Sequence, residues 1–225
     1  MHIPDGLLNN TLANGLLAGT IGMFGYYLSK IFKTAIIFTG TIVVNNGTRF
    51  KLFGLYKNPE KYFQKMTIIA LWIFAFQMLN IPINSTTSAH LIGGTFAAVL
   101  TGPISGFIIL SYVLIIQAFF FSDGGIIALG ANIFNMAFVG SFLSYYIYKM
   151  LYNKGYYLAI FSACFFSIIL AALSCLIELK ISKVISLTMT FKNMMQVHII
   201  IALLESVLTL LLLKIFKNLY GDNNE

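Results

Sequence analysis

Charge is nearly missing from this chain. Only 9% of its 225 residues are Asp, Glu, Lys or Arg, where a soluble globular domain carries about 25%. So little charge cannot wet the surface of a soluble fold, and that class is excluded. Cysteine is as scarce: Cys164 and Cys175 are the only two. Eleven residues along one helix separate them by about 16 Å of rise, too far for a bridge. With no Cys-x-x-Cys and no cysteine–histidine spacing, zinc-finger and cluster chemistry is not indicated, and both read as packed thiols. The sequence has no Gly-x-x-x-x-Gly-Lys-[Ser/Thr] phosphate loop, so it does not hydrolyse ATP on its own. It has no His-Glu-x-x-His either.

What abounds is apolar surface, at 59% of residues and a mean hydropathy of +0.87. Apolar runs near 20 residues are long enough to cross a bilayer as helices, and no alternating barrel pattern appears. The expected fold is all-α, a polytopic transmembrane helix bundle of about six to seven membrane helices forming a single integral membrane domain over 1–225. Spans are expected near 7–29, 66–80, 89–101, 103–121, 126–148, 156–178 and 194–213. The third is short and reads as a deep penetration that does not cross on its own.

The net charge of +7 fits the positive-inside rule better than nucleic-acid binding, which is not expected. Lys30, Lys33, Arg49, Lys51, Lys57, Lys61, Lys65, Lys149, Lys154, Lys214 and Lys217 share one side of that topology, and only Lys180, Lys183 and Lys192 the other. This predicts an N-terminus outside and a C-terminus in the cytoplasm of a prokaryotic plasma membrane. Residues 45–65, with five basic residues and Pro59, read as a cytoplasmic loop that meets anionic lipid. Residues 34–44 are apolar but short, and either lengthen the first helix, re-enter, or lie on the surface.

The first six residues, Met1-His2-Ile3-Pro4-Asp5-Gly6, hold the most specific chemistry. A histidine beside the α-amino group lets amine, His2 backbone nitrogen and His2 ring close five- and six-membered rings around one metal. A fourth nitrogen completes a square plane, which favours Ni(II) or Cu(II). The opening lacks the basic start of a signal peptide, so Met1 is expected to stay, and Pro4-Asp5-Gly6 forms a turn. The bland alternative is a frayed terminus.

His90, entering the membrane on the same side behind Ser85-Thr86-Thr87-Ser88-Ala89, is a candidate fourth ligand; the competing reading is a buried histidine bonded to backbone. Ser88 and its neighbours would cap the helix and hold the ring. Asn132 and Asn135 share a face and either orient the histidines or join helices. Asp5 is a further supporting candidate, while Asp123 reads as stabilising its own Gly-Gly turn. His198 and Glu205, two turns apart, point inward as a structural polar pair or a deep second site nearer the inside. Glu178, near a membrane edge, is given no role. Gly15, Gly19 and Gly22 form a small-residue stripe suited either to packing within the bundle or to a subunit contact.

Met-His-Ile-Pro-Asp-Gly at the start, Ser88-Ala89-His90-Leu91-Ile92-Gly93-Gly94, the stretch Asp123-Gly124-Gly125 through Met136, and Val197-His198 through Glu205 together resemble the CbiM/NikM family of cobalt and nickel transporters. The resemblance covers 1–8, 66–140 and 194–217 well and the rest weakly. It implies the substrate-binding S component of an energy-coupling-factor importer, with Ni(II) or Co(II) held by Met1, His2 and His90 and no organic cofactor. It also implies partners: a transmembrane coupling (T) subunit, cytoplasmic ATPase subunits and a small additional membrane subunit. Ala89 stands where a glycine is usual, Ser85-Thr86 replaces a glycine-rich approach, and the 45–65 loop looks inserted. From another class, a membrane metalloenzyme would want an acid/base beside an open coordination position; a passive channel would use the histidines only for packing.

Overall fold

The computed structural model describes residues 2–39, 59–79, 81–82, 88–183 and 187–220. It is built from long helices: α1 (Asn10–Thr39), α2 (Pro59–Gln77), α3 (Gly94–Thr101), α4 (Pro103–Phe120), α5 (Leu129–Asn132), α6 (Ser144–Leu151), α7 (Tyr156–Ile181) and α8 (Leu187–Tyr220). A π-helical stretch, Ile133–Leu143, joins α5 to α6 into one rod, and a short 3-10 turn leads from α6 toward α7. Two-residue strands β1 (Ile81–Pro82) and β2 (Ser88–Ala89) pair antiparallel ahead of α3. Among the described residues, α4, α7 and residues Phe191–Phe216 of α8 are long and apolar enough to cross a membrane by length and composition.

Local chemistry sets the helix starts. The Asn9 side chain accepts the Leu12 backbone N–H at 2.8 Å and caps α1. Pro59 and Pro103 occupy the first position of α2 and α4, where a missing N–H costs nothing. The start of α2 corrects the expected 45–65 loop: residues 59–65 are helical, and 45–58 lie outside the described residues. Residues 34–39 continue α1 as one rod.

The third expected span, 89–101, is corrected as well. Its helix begins only at Gly94, and Gly93 ahead of it takes a left-handed conformation (φ +77°). A side chain there would be strained and would run into Ile73. Residues 88–93 therefore enter the bundle as extended chain with their polar groups held by other helices. Non-helical backbone is tolerated at such depth only when protein supplies its hydrogen bonds.

Three connections gather at one end of the bundle. Asn9 donates its backbone N–H to Ser182 at the end of α7 (3.1 Å), Gly125 donates to the Ile3 carbonyl (2.9 Å), and β2 packs against α8. The core between the helices is aliphatic and small, with Ala97, Ala131, Ala163, Cys164, Ala171 and Cys175 wholly buried. Both cysteines are free thiols.

Candidate metal-binding site

The N-terminal segment is not frayed. Asn132 clasps it from both sides: Ile3 N–H donates to Asn132 Oδ1 (2.8 Å), and Asn132 Nδ2 donates to the Ile3 carbonyl (3.1 Å). Two residues on, the Asp5 carboxylate accepts the backbone N–H groups of Ile126, Ile127 and Ala128 at 3.1, 2.8 and 3.1 Å. These are donors at the positive end of a helix, where a carboxylate is favoured. A side chain on Gly125 would collide with that carboxylate, so the backbone lies directly against Asp5. Ile3 is fully buried and His2 is 3% exposed.

Held this way, the His2 ring lies against His90, with ring centres 4.4 Å apart and planes tilted by 35°. A metal–imidazole bond of about 2.0 Å puts the ring centre about 3 Å from the metal. Two rings on neighbouring corners of a square plane would then be separated by about the spacing seen here.

Each ring has one nitrogen fixed. Asp123 accepts a hydrogen bond from His2 Nδ1 at 2.7 Å. Burial holds the His2 imidazole below its usual range, against the raising influence of the Asp123 bond. Burial alone would raise the Asp123 carboxyl, but the hydrogen bond from His2 outweighs it and holds it below the usual carboxylate range. The two directions agree on one state: a neutral His2 with its proton on Nδ1, facing a carboxylate. His90 Nδ1 donates to the Leu91 carbonyl at 2.8 Å. On both rings Nε2 is buried with no hydrogen-bond partner among the described residues. On His90, a lone pair left bare while a neighbouring carbonyl fixes the tautomer is prepared for a metal.

The His90 segment is held just as firmly. Glu205 on α8 accepts the N–H groups of Ile92 (2.6 Å) and Gly93 (2.8 Å), and Gln77 at the end of α2 donates to the Ile92 carbonyl (2.7 Å). Glu205 is eighteen residues past the start of α8, about 27 Å along its axis, so the histidine segment reaches well into the bundle.

This geometry changes several expectations. His198 and Glu205 do not pair with each other: Glu205 is committed to residues 92–93, and His198 Nδ1 donates to Met194 O (2.7 Å) on its own helix. Because α8 starts at Leu187, well before the expected 194, His198 falls in the half of the helix nearest the gathered connections. Asn135 donates to Glu178 at 2.7 Å, a bond that joins two helices. Glu178, given no role from sequence, is buried and is that partner. Asp123 is the residue sequence reasoning missed; its signal was a lone carboxylate in an otherwise uncharged outer connection. Met1 and the Ser88 side chain lie outside the described residues. Among the described residues nothing lies within 4 Å of where a side chain on Gly15, Gly19 or Gly22 would begin. Among the described residues no three His, Cys, Asp or Glu side chains form a metal cluster. A multidentate site here needs backbone or terminal nitrogens.

A bundle of apolar helices that closes around its own N-terminal peptide belongs to the class of multi-pass membrane proteins. The family model for the cobalt uptake substrate-specific transmembrane region, CbiM, matches residues 2–222, and the chain belongs to this family. It is 36% identical over 211 residues to a fused NikMN chain of Archaeoglobus fulgidus, covering 93% of this chain and 63% of that one. It is 31% identical over 165 residues to a cobalt transport protein CbiM of Thermosipho melanesiensis, covering 73% and 61%. The crystal structure of a transition metal transporter superimposes with a TM-score of 0.81 at 28% identity, covering 99% of this chain and 95% of that one. The chain spans about three-fifths of the length of the curated relatives it matches.

Proposed function

We propose that the chain is the substrate-binding membrane component of an ATP-driven importer of Ni(II) or Co(II). The observation that carries this reading is the pairing of His2 and His90, two buried neutral imidazoles 4.4 Å apart, on a terminus fastened by Asn132 and Asp5. Family membership and the nickel and cobalt transport named for its relatives support the same cargo. The ion is held by the Met1 amine, the His2 backbone nitrogen, His2 Nδ1 and His90 Nε2. To bind the metal, neutral His2 shifts its proton from Nδ1 to Nε2, which frees the Nδ1 lone pair with no net proton release, and Asp123, 17% exposed, gives up its hydrogen bond. Capture releases protons from the amine and the amide, so affinity rises with pH. The His2 ring adds little to that slope above the histidine range, because burial already keeps it neutral.

The N-terminal face lies outside and the C-terminus in the cytoplasm, as the distribution of basic residues supports. Energy comes from partners, namely a transmembrane coupling subunit, cytoplasmic ATPase subunits and a small additional membrane subunit. The coupling subunit docks on the open Gly15, Gly19 and Gly22 face of α1, where small residues allow close helix approach in lipid. Uptake of radioactive nickel or cobalt by cells carrying the complete transporter tests the reading. His2→Ala is expected to abolish uptake while the protein still reaches the membrane; unchanged uptake would overturn it.

A further inference from the structure

A third histidine has the same preparation as His90. His198 is 1% exposed, its Nδ1 donates to the Met194 carbonyl at 2.7 Å, and its Nε2 is buried with no hydrogen-bond partner among the described residues. His198 does not hold Glu205, which bonds residues 92–93. It does not cap its helix either, since it lies eleven residues inside α8.

Its position relates it to His90. β2 packs against α8 just before His90, and Ile92 and Gly93 bond Glu205 on α8 just after it. His90 is thus carried past the stretch of α8 on which His198 lies, two turns and about 10 Å of rise from Glu205.

We propose that His90 and His198 form a second, weaker position for a divalent transition metal, beside the N-terminal chelate and sharing His90 with it. Imidazole suits nickel and cobalt alike, and both rings offer Nε2 lone pairs whose tautomer is already set by a backbone carbonyl. A shared ligand lets the ion pass between the two positions without ever losing all its protein nitrogens. The proposal rests on the metal-binding reading above and extends it to a residue outside the N-terminal site.

The test is Co(II) titration of the purified full-length chain, followed by ligand-field absorption, on the native protein and on His2→Ala, His90→Ala, His198→Phe and the His2→Ala/His198→Phe double variant. Phenylalanine keeps the ring volume and removes both nitrogens, and thermal unfolding checks that each variant is folded. His2→Ala is expected to retain a weak site with imidazole character. His198→Phe alone is expected to bind within about threefold of native, and the double variant to bind at least roughly tenfold more weakly than His2→Ala. The proposal is overturned if His2→Ala and the double variant bind alike, or if His198→Phe alone weakens the native site as much as His90→Ala does. Native-like binding by His2→Ala would instead overturn the N-terminal chelate, so the two failures are distinguishable.

Discussion

At the scale of single residues the site depends on which ring nitrogen is free. His2 and His90 were legible from sequence because their chemistry depends on position, one beside the chain's first residue and one entering an apolar run. Asp123 was not legible. A carboxylate followed by two glycines reads as a turn, and the bond to His2 joins residues 121 apart, which no local pattern encodes. Its role yields a prediction with a definite sign. If the chelate closes through Nδ1, metal binding releases Asp123, and Asp123→Asn changes Ni(II) affinity by less than about threefold. A loss of tenfold or more, in the range of about 10–100-fold for removing a partner that supports a ligand, would show instead that Nε2 binds the metal while Asp123 stays bonded behind it. Isothermal titration of the two proteins decides between them.

Among the elements, the unusual one is the extended stretch 88–93. Hydropathy reads it as the start of a helix, and its true form is set by groups far along the chain: Gln77 from α2, Glu205 from α8, and a left-handed Gly93 packed on Ile73. The sequence marked Glu205 as costly in lipid and therefore inward, but its partner could not be read from spacing, since the nearer candidate His198 bonds its own helix. Glu205→Ala leaves two buried N–H groups without an acceptor, each costing about 1–3 kcal/mol. A marked fall in thermal unfolding temperature is therefore expected, together with weaker metal binding as His90 loses its support. A variant that unfolds at the native temperature would show that Glu205 does not hold this segment.

In the whole molecule, the helix order and most boundaries were legible, because period and length in apolar runs are local properties. What was not legible is which faces pack together. The α1 stripe illustrates this: Gly15, Gly19 and Gly22 served an internal or an external contact equally well on paper, and none of the described residues covers them. Gly19→Leu is expected to leave Ni(II) binding by the purified chain unchanged and to abolish co-purification with the coupling subunit. Retained co-purification would place that subunit elsewhere on the surface.

The account stands most directly on one titration of Ni(II) into the purified chain and into a form carrying two glycines ahead of Met1. Two residues are needed, because a single added residue would put histidine third, where the amine, two amides and the ring form a chelate by themselves. The account predicts one Ni(II) per native chain and binding weakened at least roughly a hundredfold in the extended form, with thermal unfolding confirming that both are folded. Equal affinity in the two would contradict it, and would mean that the terminal amine is not a ligand.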